Sequence, residues 1–313
     1  MTTSRHLRTI HDLAAADVTA IIEHAFLYKD EFDRGIAHPQ ILTGKNVVLL
    51  FEKPSLRTRI AFDIAVHALG GHPIFQSSKE VFTRADGTQR EAITDITHVL
   101  ERTCDAIVAR VHAHDTITKM ANASSVPVIN ALCDGHHPTQ ALADLMTMLW
   151  HKPQQKDLRV TFVGDGNNVA TSLLQICTLM GIHCTHAGPE GYQIPREEWQ
   201  IAQDFAKKSG AELLYTTDPV AGVRGADVVY TDTFVSMGDE GETNQRLKDF
   251  AHYQVNAALM AHAKPDAIFL HDLPAHRGEE VTDEVIDSAQ SKVFDLAECR
   301  MHIAKALLTF FLS

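Results

Sequence analysis

Short apolar runs alternate along the chain with longer segments in which apolar residues recur every three or four positions. The short runs predict buried strands at residues 47–51, 106–110, 126–129, 159–163, 212–215, 227–231 and 267–271. The longer segments predict helices at residues 57–69, 139–150, 168–180 and 297–311. The chain is therefore expected to alternate between strand and helix over most of its length.

This alternation indicates the fold class, because strands separated by helices pair in parallel through right-handed crossovers. The polar stretch 151–157 contains Pro153 and interrupts the pattern, which predicts a domain boundary. A length of 313 residues fits two domains of roughly 150 residues each. We predict an α/β protein with two doubly wound domains, each with a central parallel sheet flanked by helices. The first would comprise residues 1–150 and a C-terminal helix at 290–313, and the second residues 151–289.

The charge balance is acidic: 28 Lys and Arg residues against 40 Asp and Glu residues give a net charge of −12. This balance argues against nucleic acid or an anionic membrane as the main partner. An anionic substrate would have to be met by a local cationic pocket, because the field of the whole chain repels it.

Cysteine and histidine usage gives little sign of a metal site. The five cysteines include no CxxC pair, which argues against a disulfide framework or a zinc site and fits a reducing cytosol. Neither His112 with His114 nor His136 with His137 has the i, i+4 spacing of a helical metal site. The first residues lack the apolar region of a signal peptide, and the run 47–51 is too short to span a bilayer. We expect no metal and a cytoplasmic location.

The expected start of the helix after strand 47–51 is crowded with a hydroxyl and two arginines. Backbone N–H groups and the positive end of a helix dipole attract anions. Ser55 and Thr58 add hydroxyl donors, and Arg57 adds a planar fork suited to phosphate. Arginine normally favours the other end of a helix. We therefore favour a phosphate site over a capped helix with solvent-facing arginines.

Other polar clusters also follow expected strands, where open parallel sheets bind ligands. The clusters are His137-Pro138-Thr139-Gln140, Gly164-Asp165-Gly166-Asn167-Asn168, residues 231–238 and residues 271–281. The residues alone leave structural alternatives open: a loop-to-helix junction at His137, an Asn-capped turn at 164–168 and an ordinary loop at 231–238. The third glycine of a dinucleotide fingerprint is absent at 164–168, which argues against that kind of site.

These clusters match, in order, the motifs of the aspartate/ornithine carbamoyltransferase family. Residues 51–59, FEKPSLRTR, resemble the family's S-T-R-T-R segment, and residues 137–140 match its HPTQ motif. The turn GDGNN and the loop D-x-x-x-S-M-G at 232–238 resemble segments of the ornithine branch. Residues 271–274 and 297–300 resemble the family's H-C-L-P and A-E-N-R segments. The resemblance spans nearly the whole chain.

The resemblance implies transfer of the carbamoyl group of carbamoyl phosphate to L-ornithine, which yields L-citrulline and phosphate. It implies that carbamoyl phosphate is bound by Ser55, Leu56, Arg57, Thr58, Arg110, His137, Gln140, Leu273 and Arg300. It implies that ornithine is bound by Asn168, Asp232, Ser236 and Met237. Catalytic roles fall on Arg110, His137 and Asp272. The implied chemistry needs no cofactor, and the implied assembly is a homotrimer or a multiple of trimers.

Two departures from the family pattern leave other functions open. Asp272 stands where the family has Cys, and the segment 81–91 does not match the family loop, so that Arg84, Gln89 or Arg90 are all candidates there. Leu56 also replaces a frequent Thr, at a position that the family uses largely through its backbone. The alternatives are a carbamoyltransferase for another amino-acid amine and a non-catalytic paralogue that binds carbamoyl phosphate.

Overall fold

A computed structural model of the chain describes residues 6–77, 81–82, 90–153, 157–235 and 240–313. The chain divides into two compact units. The first unit comprises Met1–Met146 and Glu298–Ser313, and the second comprises Thr147–Ala297. Of the helices in these described ranges, none combines the length and the apolar character needed to cross a membrane.

The first unit is built on a parallel sheet of four strands in the order β2-β1-β3-β4. The strands are β1 (Asn46–Phe51), β2 (His72–Ser77), β3 (Ala106–Arg110) and β4 (Val128–Leu132). The helices over this part of the chain are α1 (Ala15–Asp33), α2 (Leu56–Ala68), α3 (Ile93–Leu100), α4 (His114–Ala123) and α5 (Pro138–His151). β1 and β3 are central and buried, which explains their continuous apolar sequences.

The second unit has a parallel sheet of five strands in the order β7-β6-β5-β8-β9. The strands are β5 (Arg159–Val163), β6 (His183–Ala187), β7 (Leu213–Thr216), β8 (Val228–Thr231) and β9 (Ile268–Leu270). The helices that follow α5 are α6 (Asn168–Leu179), α7 (Arg196–Ser209), α8 (Pro219–Val223), α9 (Thr243–Asp249), α10 (Ala257–Met260), α11 (Asp283–Ile286) and α12 (Val293–Leu312). The residues of α12 from Glu298 onward belong to the first unit.

Each sheet has one switch point, which is a pair of neighbouring strands whose connections to the next strands run toward opposite edges of the sheet. In the first unit this switch point lies between β1 and β3, where Phe51 pairs with Arg110. In the second unit it lies between β5 and β8, where Val163 pairs with Thr231. Ligands of open α/β sheets bind beyond the carboxyl ends of the strands at such points. The polar clusters that follow β1, β5 and β8 are therefore placed at two such edges, one in each unit.

The predicted fold class is confirmed: both units have parallel sheets flanked by helices. The strand predicted at residues 126–129 corresponds to β4, which begins two residues later and ends three residues later, at Val128–Leu132. The hydroxyl of Ser124 donates to the Val126 carbonyl at 2.8 Å, which holds Val126 in the turn before the strand. Asn130 belongs to the strand although it is polar, since its buried amide donates to the Arg8 carbonyl at 2.7 Å.

Two strands had no counterpart in the sequence prediction. β2, HPIFQS, lies at the sheet edge and is largely exposed, so it lacks an apolar run. β6, HCTHA, contains two histidines, and His186 is fully buried. Its ring Nε2 lies 2.9 Å from the Gly164 carbonyl, and burial lowers its pKa to about 4. The ring therefore packs as a neutral group and donates this hydrogen bond from Nε2.

Candidate active site

Ser55 and the first turn of α2 form the N-terminal, positive end of a helix in the first unit. Ser55 is the N-cap, and its Oγ accepts a hydrogen bond from the Thr58 N–H at 3.3 Å. The Leu56 side chain is 68% exposed, so this position has its backbone N–H rather than its side chain to offer a ligand. Arg57 lies in the same turn. The turn thus combines the positive end of the helix with hydroxyl and guanidinium donors.

Arg300, from α12, ties this turn to α5 within the first unit. Its Nη2 donates to Thr58 Oγ1 at 2.8 Å, and its Nη1 donates to Gln140 Oε1. Gln140 Nε2 in turn donates to Asp144 Oδ1 at 2.8 Å. All four side chains are buried. The planar guanidinium is therefore held in one orientation by a chain of hydrogen bonds before any ligand binds.

His137 lies at the centre of the positive charges of the first unit. Burial, followed by the neighbouring charges of Arg300, Arg110 and Arg57, holds its pKa well below the ordinary value of 6.5. Its Nδ1 lies 3.4 Å from Thr139 Oγ1. Arg110 is 7% exposed and ends β3 beside Phe51. His137 is consequently neutral at physiological pH and acts as a hydrogen-bonding group rather than as a cation.

Lys53 adds a cation that the sequence analysis did not single out. It is 8% exposed, and burial together with the nearby Arg110 lowers its pKa. The sequence feature that could have indicated this lysine is its position in FEKPSLRTR, two residues beyond the end of β1. A lysine that is buried beside an arginine reinforces the positive character of this edge.

In the second unit, Asn167 and Asp232 join the loops that follow β5 and β8. The Asn167 side chain caps α6 by accepting from the N–H groups of Val169 and Ala170 at 3.0 Å each. Its Nδ2 donates to Asp232 Oδ2 at 2.7 Å. The predicted Asn168 is the first residue of α6. Asn167, which the sequence indicated only as part of the turn, is thus bonded directly to Asp232, and the ornithine-binding role of Asn168 stays a prediction.

The carboxyl of Asp232 is buried, and that of Asp272, which is partly exposed, lies beside it. His271 lies close to both carboxyls: one ring nitrogen of His271 and one carboxylate oxygen of each aspartate fall within 4.8 Å of one another. Burial, and then the negative charge of Asp272, raises the pKa of Asp232 well above its ordinary value. Each carboxyl disfavours the ionised form of the other, which favours retention of the proton on Asp232, whereas the neighbouring His271 opposes this effect.

His271 and Glu280 fix the backbone on which Asp272 sits. The Leu273 nitrogen lies 2.9 Å from His271 Nδ1, and the ring Nε2 lies 3.2 Å from Glu280 Oε1. Burial opposes a charged ring, but hydrogen bonding to Asp272 and Glu280 outweighs it and raises the pKa of His271 to about 9. Both His271 and Glu280 are fully buried. Leu273 packs against the apolar core of the second unit. The donor atoms of this cluster are thus engaged in internal hydrogen bonds, with Thr233 N–H also donating to Asp232 Oδ1 at 2.6 Å.

The structure brings the predicted residues together in two groups. In the first unit, Ser55, Arg57, Thr58, Arg110, His137, Gln140 and Arg300 are linked by the contacts above. In the second unit Asp232 and Asp272 are neighbours, and Leu273 belongs to this unit as well. Ser236, Met237, Arg84 and Gln89 lie outside the described residues. Arg90 is described, and its N–H donates to the Phe82 carbonyl at 2.8 Å.

Comparison with known proteins identifies this arrangement. Residues 5–149 match the profile of the carbamoyl-P binding domain of aspartate/ornithine carbamoyltransferase, and residues 156–311 match that of its Asp/Orn binding domain. The chain belongs to the aspartate/ornithine carbamoyltransferase family. The family resemblance seen in the sequence is confirmed, and its two profiles fall on the two polar clusters described above.

Relatives in this family are similar over their full length. An ornithine carbamoyltransferase of Caldicellulosiruptor saccharolyticus is 44% identical over 306 residues, which cover 98% of each chain. An anabolic ornithine carbamoyltransferase of Pyrococcus furiosus is 44% identical over 97% of this chain and 95% of its own. A solved structure of ornithine carbamoyltransferase from Pyrococcus furiosus superposes with a TM-score of 0.94 at 43% identity, covering 99% of this chain and 97% of that chain.

Proposed function

We propose that the chain transfers the carbamoyl group of carbamoyl phosphate to the side-chain amine of L-ornithine, giving L-citrulline and phosphate. The observation that carries the proposal is the gathering of Arg57, Arg110 and Arg300 around a neutral His137. Arg57, Arg110 and His137 lie in the segment that matches the carbamoyl-P binding profile, and Arg300 lies in the C-terminal part of the same unit. The relatives named above carry this activity in their names.

The phosphate group would be held by the first turn of α2. Ser55 and Thr58 offer hydroxyls, Leu56 its backbone N–H, and Arg57 a planar fork that matches phosphate oxygens. In an acidic chain this local positive charge is what lets a phosphate dianion approach. The same charges also stabilise phosphate as the leaving group.

The carbamoyl end would be held by Arg110, His137, Gln140 and Arg300, and the family resemblance adds Leu273 to this set. The amine nitrogen attacks the carbonyl carbon, a C–N bond forms, and the bond from that carbon to the phosphate oxygen breaks. Negative charge develops on the carbonyl oxygen, and Arg110 with neutral His137 would stabilise it as an oxyanion hole. Positioning and electrostatics account for the step without a cofactor.

The acceptor would be bound by Asn168 and Asp232, with Ser236 and Met237 of the D-x-x-x-S-M-G loop. Its attacking amine must be neutral and must lose a proton as the C–N bond forms. Asp232 and Asp272 are neighbours in this unit, and burial together with the charge of Asp272 raises the pKa of Asp232. Asp272, when ionised, can accept the proton as a general base, and it also stabilises the ammonium form of the amine.

The wider role follows from the same resemblance. We propose a function in arginine biosynthesis, a cytoplasmic location and a homotrimer or a multiple of trimers. The anabolic relative from Pyrococcus furiosus supports the biosynthetic direction. The net charge of −12 supports small-molecule substrates rather than nucleic acid or a membrane surface.

Turnover by the purified chain tests the proposed reaction directly. We expect citrulline to form from carbamoyl phosphate and L-ornithine, with L-lysine as the matched control amine one methylene longer and a far poorer acceptor. If carbamoyl phosphate raises the melting temperature but no citrulline forms, the chain binds the donor without the proposed catalysis. A preference for L-lysine would instead assign a different amino-acid acceptor.

The paired arginines of α2 offer a matched test of the phosphate site. Arg57→Lys keeps the charge but removes the planar fork, and we expect the Kd for inorganic phosphate and for carbamoyl phosphate to rise on the order of tenfold. Arg59→Lys is the control: its guanidinium lies 3.5 Å from the centre of the Phe75 ring and is half exposed. We expect a change of less than about twofold there. Equal losses in both variants, or none in Arg57→Lys, would contradict the assignment.

Asp272 can be tested through the pH dependence of turnover. The free acceptor amine titrates like that of lysine, near 10.4. An additional ionised carboxylate raises this pKa in the bound state and so lowers the fraction of attacking amine at a given pH. Asp272→Cys should therefore stay active and reach half-maximal kcat at a lower pH.

The isosteric variant Asp272→Asn separates charge from the chemistry of a thiol. It should shift the profile in the same direction as Asp272→Cys if the carboxylate charge is responsible. An unchanged profile in both variants would count against a direct role for Asp272.

A further inference from the structure

Arg246 is a buried cation of the second unit that no part of the proposed reaction uses. It lies in α9, and its side chain is 7% exposed. Its Nε donates to the Phe234 carbonyl at 2.7 Å, and its Nη2 donates to Asp165 Oδ2. Phe234 follows Asp232 in the loop after β8, whereas Asp165 lies in the turn after β5. One guanidinium therefore bonds to both loops that carry the acceptor residues.

The surroundings of Arg246 hold the guanidinium in one orientation. Its guanidinium carbon lies 5.0 Å from the centre of the Tyr192 ring and 5.8 Å from that of Phe250. Tyr192 is itself fixed, because its hydroxyl donates to Asp249 Oδ2 at 2.8 Å. Phe250 stacks on Phe234 with ring centres 4.8 Å apart. An arginine that lies beside two aromatic rings and donates to two acceptors has little freedom to reorient.

The turn after β5 is packed tightly against the same elements. The Gly166 N–H donates to the Tyr192 carbonyl at 2.8 Å. A Cβ on Gly166 would meet the Ile194 nitrogen at 2.2 Å, so the backbone passes where no side chain fits. The turn therefore cannot adjust freely if the bond from Asp165 to Arg246 is lost. Any shift is passed on to Asn167 and Asn168, the next residues along the chain.

We propose that Arg246 is a positioning residue for the amino-acid acceptor, which sets the spacing between the turn carrying Asn168 and the loop carrying Asp232. The inference rests on the proposed function, since it concerns the acceptor half of that reaction. Arg246 touches no reacting atom and acts through the two backbone segments that it joins. The bond from Asn167 to Asp232 spans the same gap, so the two loops are joined at two points.

The geometry of the guanidinium group explains why an arginine rather than a lysine is needed at position 246. A guanidinium presents several N–H groups in one plane and can serve a carbonyl and a carboxylate in different directions. A lysine ammonium carries the same charge on a single atom and cannot hold both acceptors in this geometry. The carboxylate of Asp165 is 14% exposed, and it would keep a cationic neighbour in Arg246→Lys. That variant therefore removes the geometry and retains the charge.

Steady-state kinetics and donor binding test the proposal with a matched control. Arg246→Lys and Asp165→Asn should each lower kcat/KM for L-ornithine on the order of tenfold to a hundredfold, as expected for a small displacement of binding groups. The Kd for carbamoyl phosphate should change by less than about twofold, because the two hydrogen bonds of Arg246 described above join loops of the second unit that carry acceptor residues. The double variant should lose little more than either single variant, since both changes break one bond.

Lys264→Met is the control for a purely structural effect. Lys264 Nζ donates to both carboxylate oxygens of the fully buried Asp227 at 2.8 Å, before the start of β8 rather than beyond its end. This variant should lower the melting temperature and leave kcat/KM for ornithine within about twofold of the wild type, as expected for a distant site.

The outcomes separate the two proposals. If the wild-type chain forms no citrulline, the proposed function fails and this inference fails with it. If the wild type is active and Arg246→Lys lowers only the melting temperature, as Lys264→Met does, the positioning role alone is wrong. Asp165→Asn gives the same decision if Arg246→Lys does not fold.

Discussion

The candidate site of the first unit depends on the mutual repulsion of several buried positive charges, which its other groups must compensate. Arg57, Arg110 and Arg300 bring their charges to bear on one buried histidine in a chain whose net charge is −12. Like charges at low dielectric repel each other strongly. The arrangement persists because Arg300 is held by Thr58 and Gln140 and because His137 stays neutral. In the proposed reaction a bound phosphate would supply the missing negative charge, so ligand recognition and the stability of the site would have one electrostatic origin.

The second unit shows the opposite charge pattern on the same type of framework. Its sheet also places polar loops at the switch point, here after β5 and β8. There the polar groups include the carboxyls of Asp232 and Asp272, and burial with their mutual repulsion raises the pKa of Asp232 well above its ordinary value. In the proposed reaction the cations of the first unit would serve the anionic donor, and the carboxyls of the second unit would serve the amine acceptor. Asp272 strengthens this division, since it adds a second carboxyl where the family has a thiol.

The sequence predicted most of the fold and the family of the chain, because both depend on local patterns and motifs. Buried central strands such as β1 and β3 are continuous apolar runs, and the turn at Ser55 has the composition of an anion site. Contacts between segments that are distant in sequence could not be predicted from local patterns. Arg246 stands in an ordinary polar helix and contacts residues 12 and 81 positions away. β6 escaped notice because the burial of His186 depends on a carbonyl that only the folded sheet brings near.

The electrostatic account is tested most directly by the titration of His137 itself, followed by NMR on the ring resonances with and without saturating inorganic phosphate. In the free protein the pKa should lie well below 6.5, through burial and the three neighbouring guanidinium groups. A bound phosphate offsets those positive charges, so the pKa should rise toward its ordinary value. Arg59→Lys should behave as the wild type does. A His137 that titrates near 6.5 in the free protein, or whose pKa does not move with phosphate, would contradict the account.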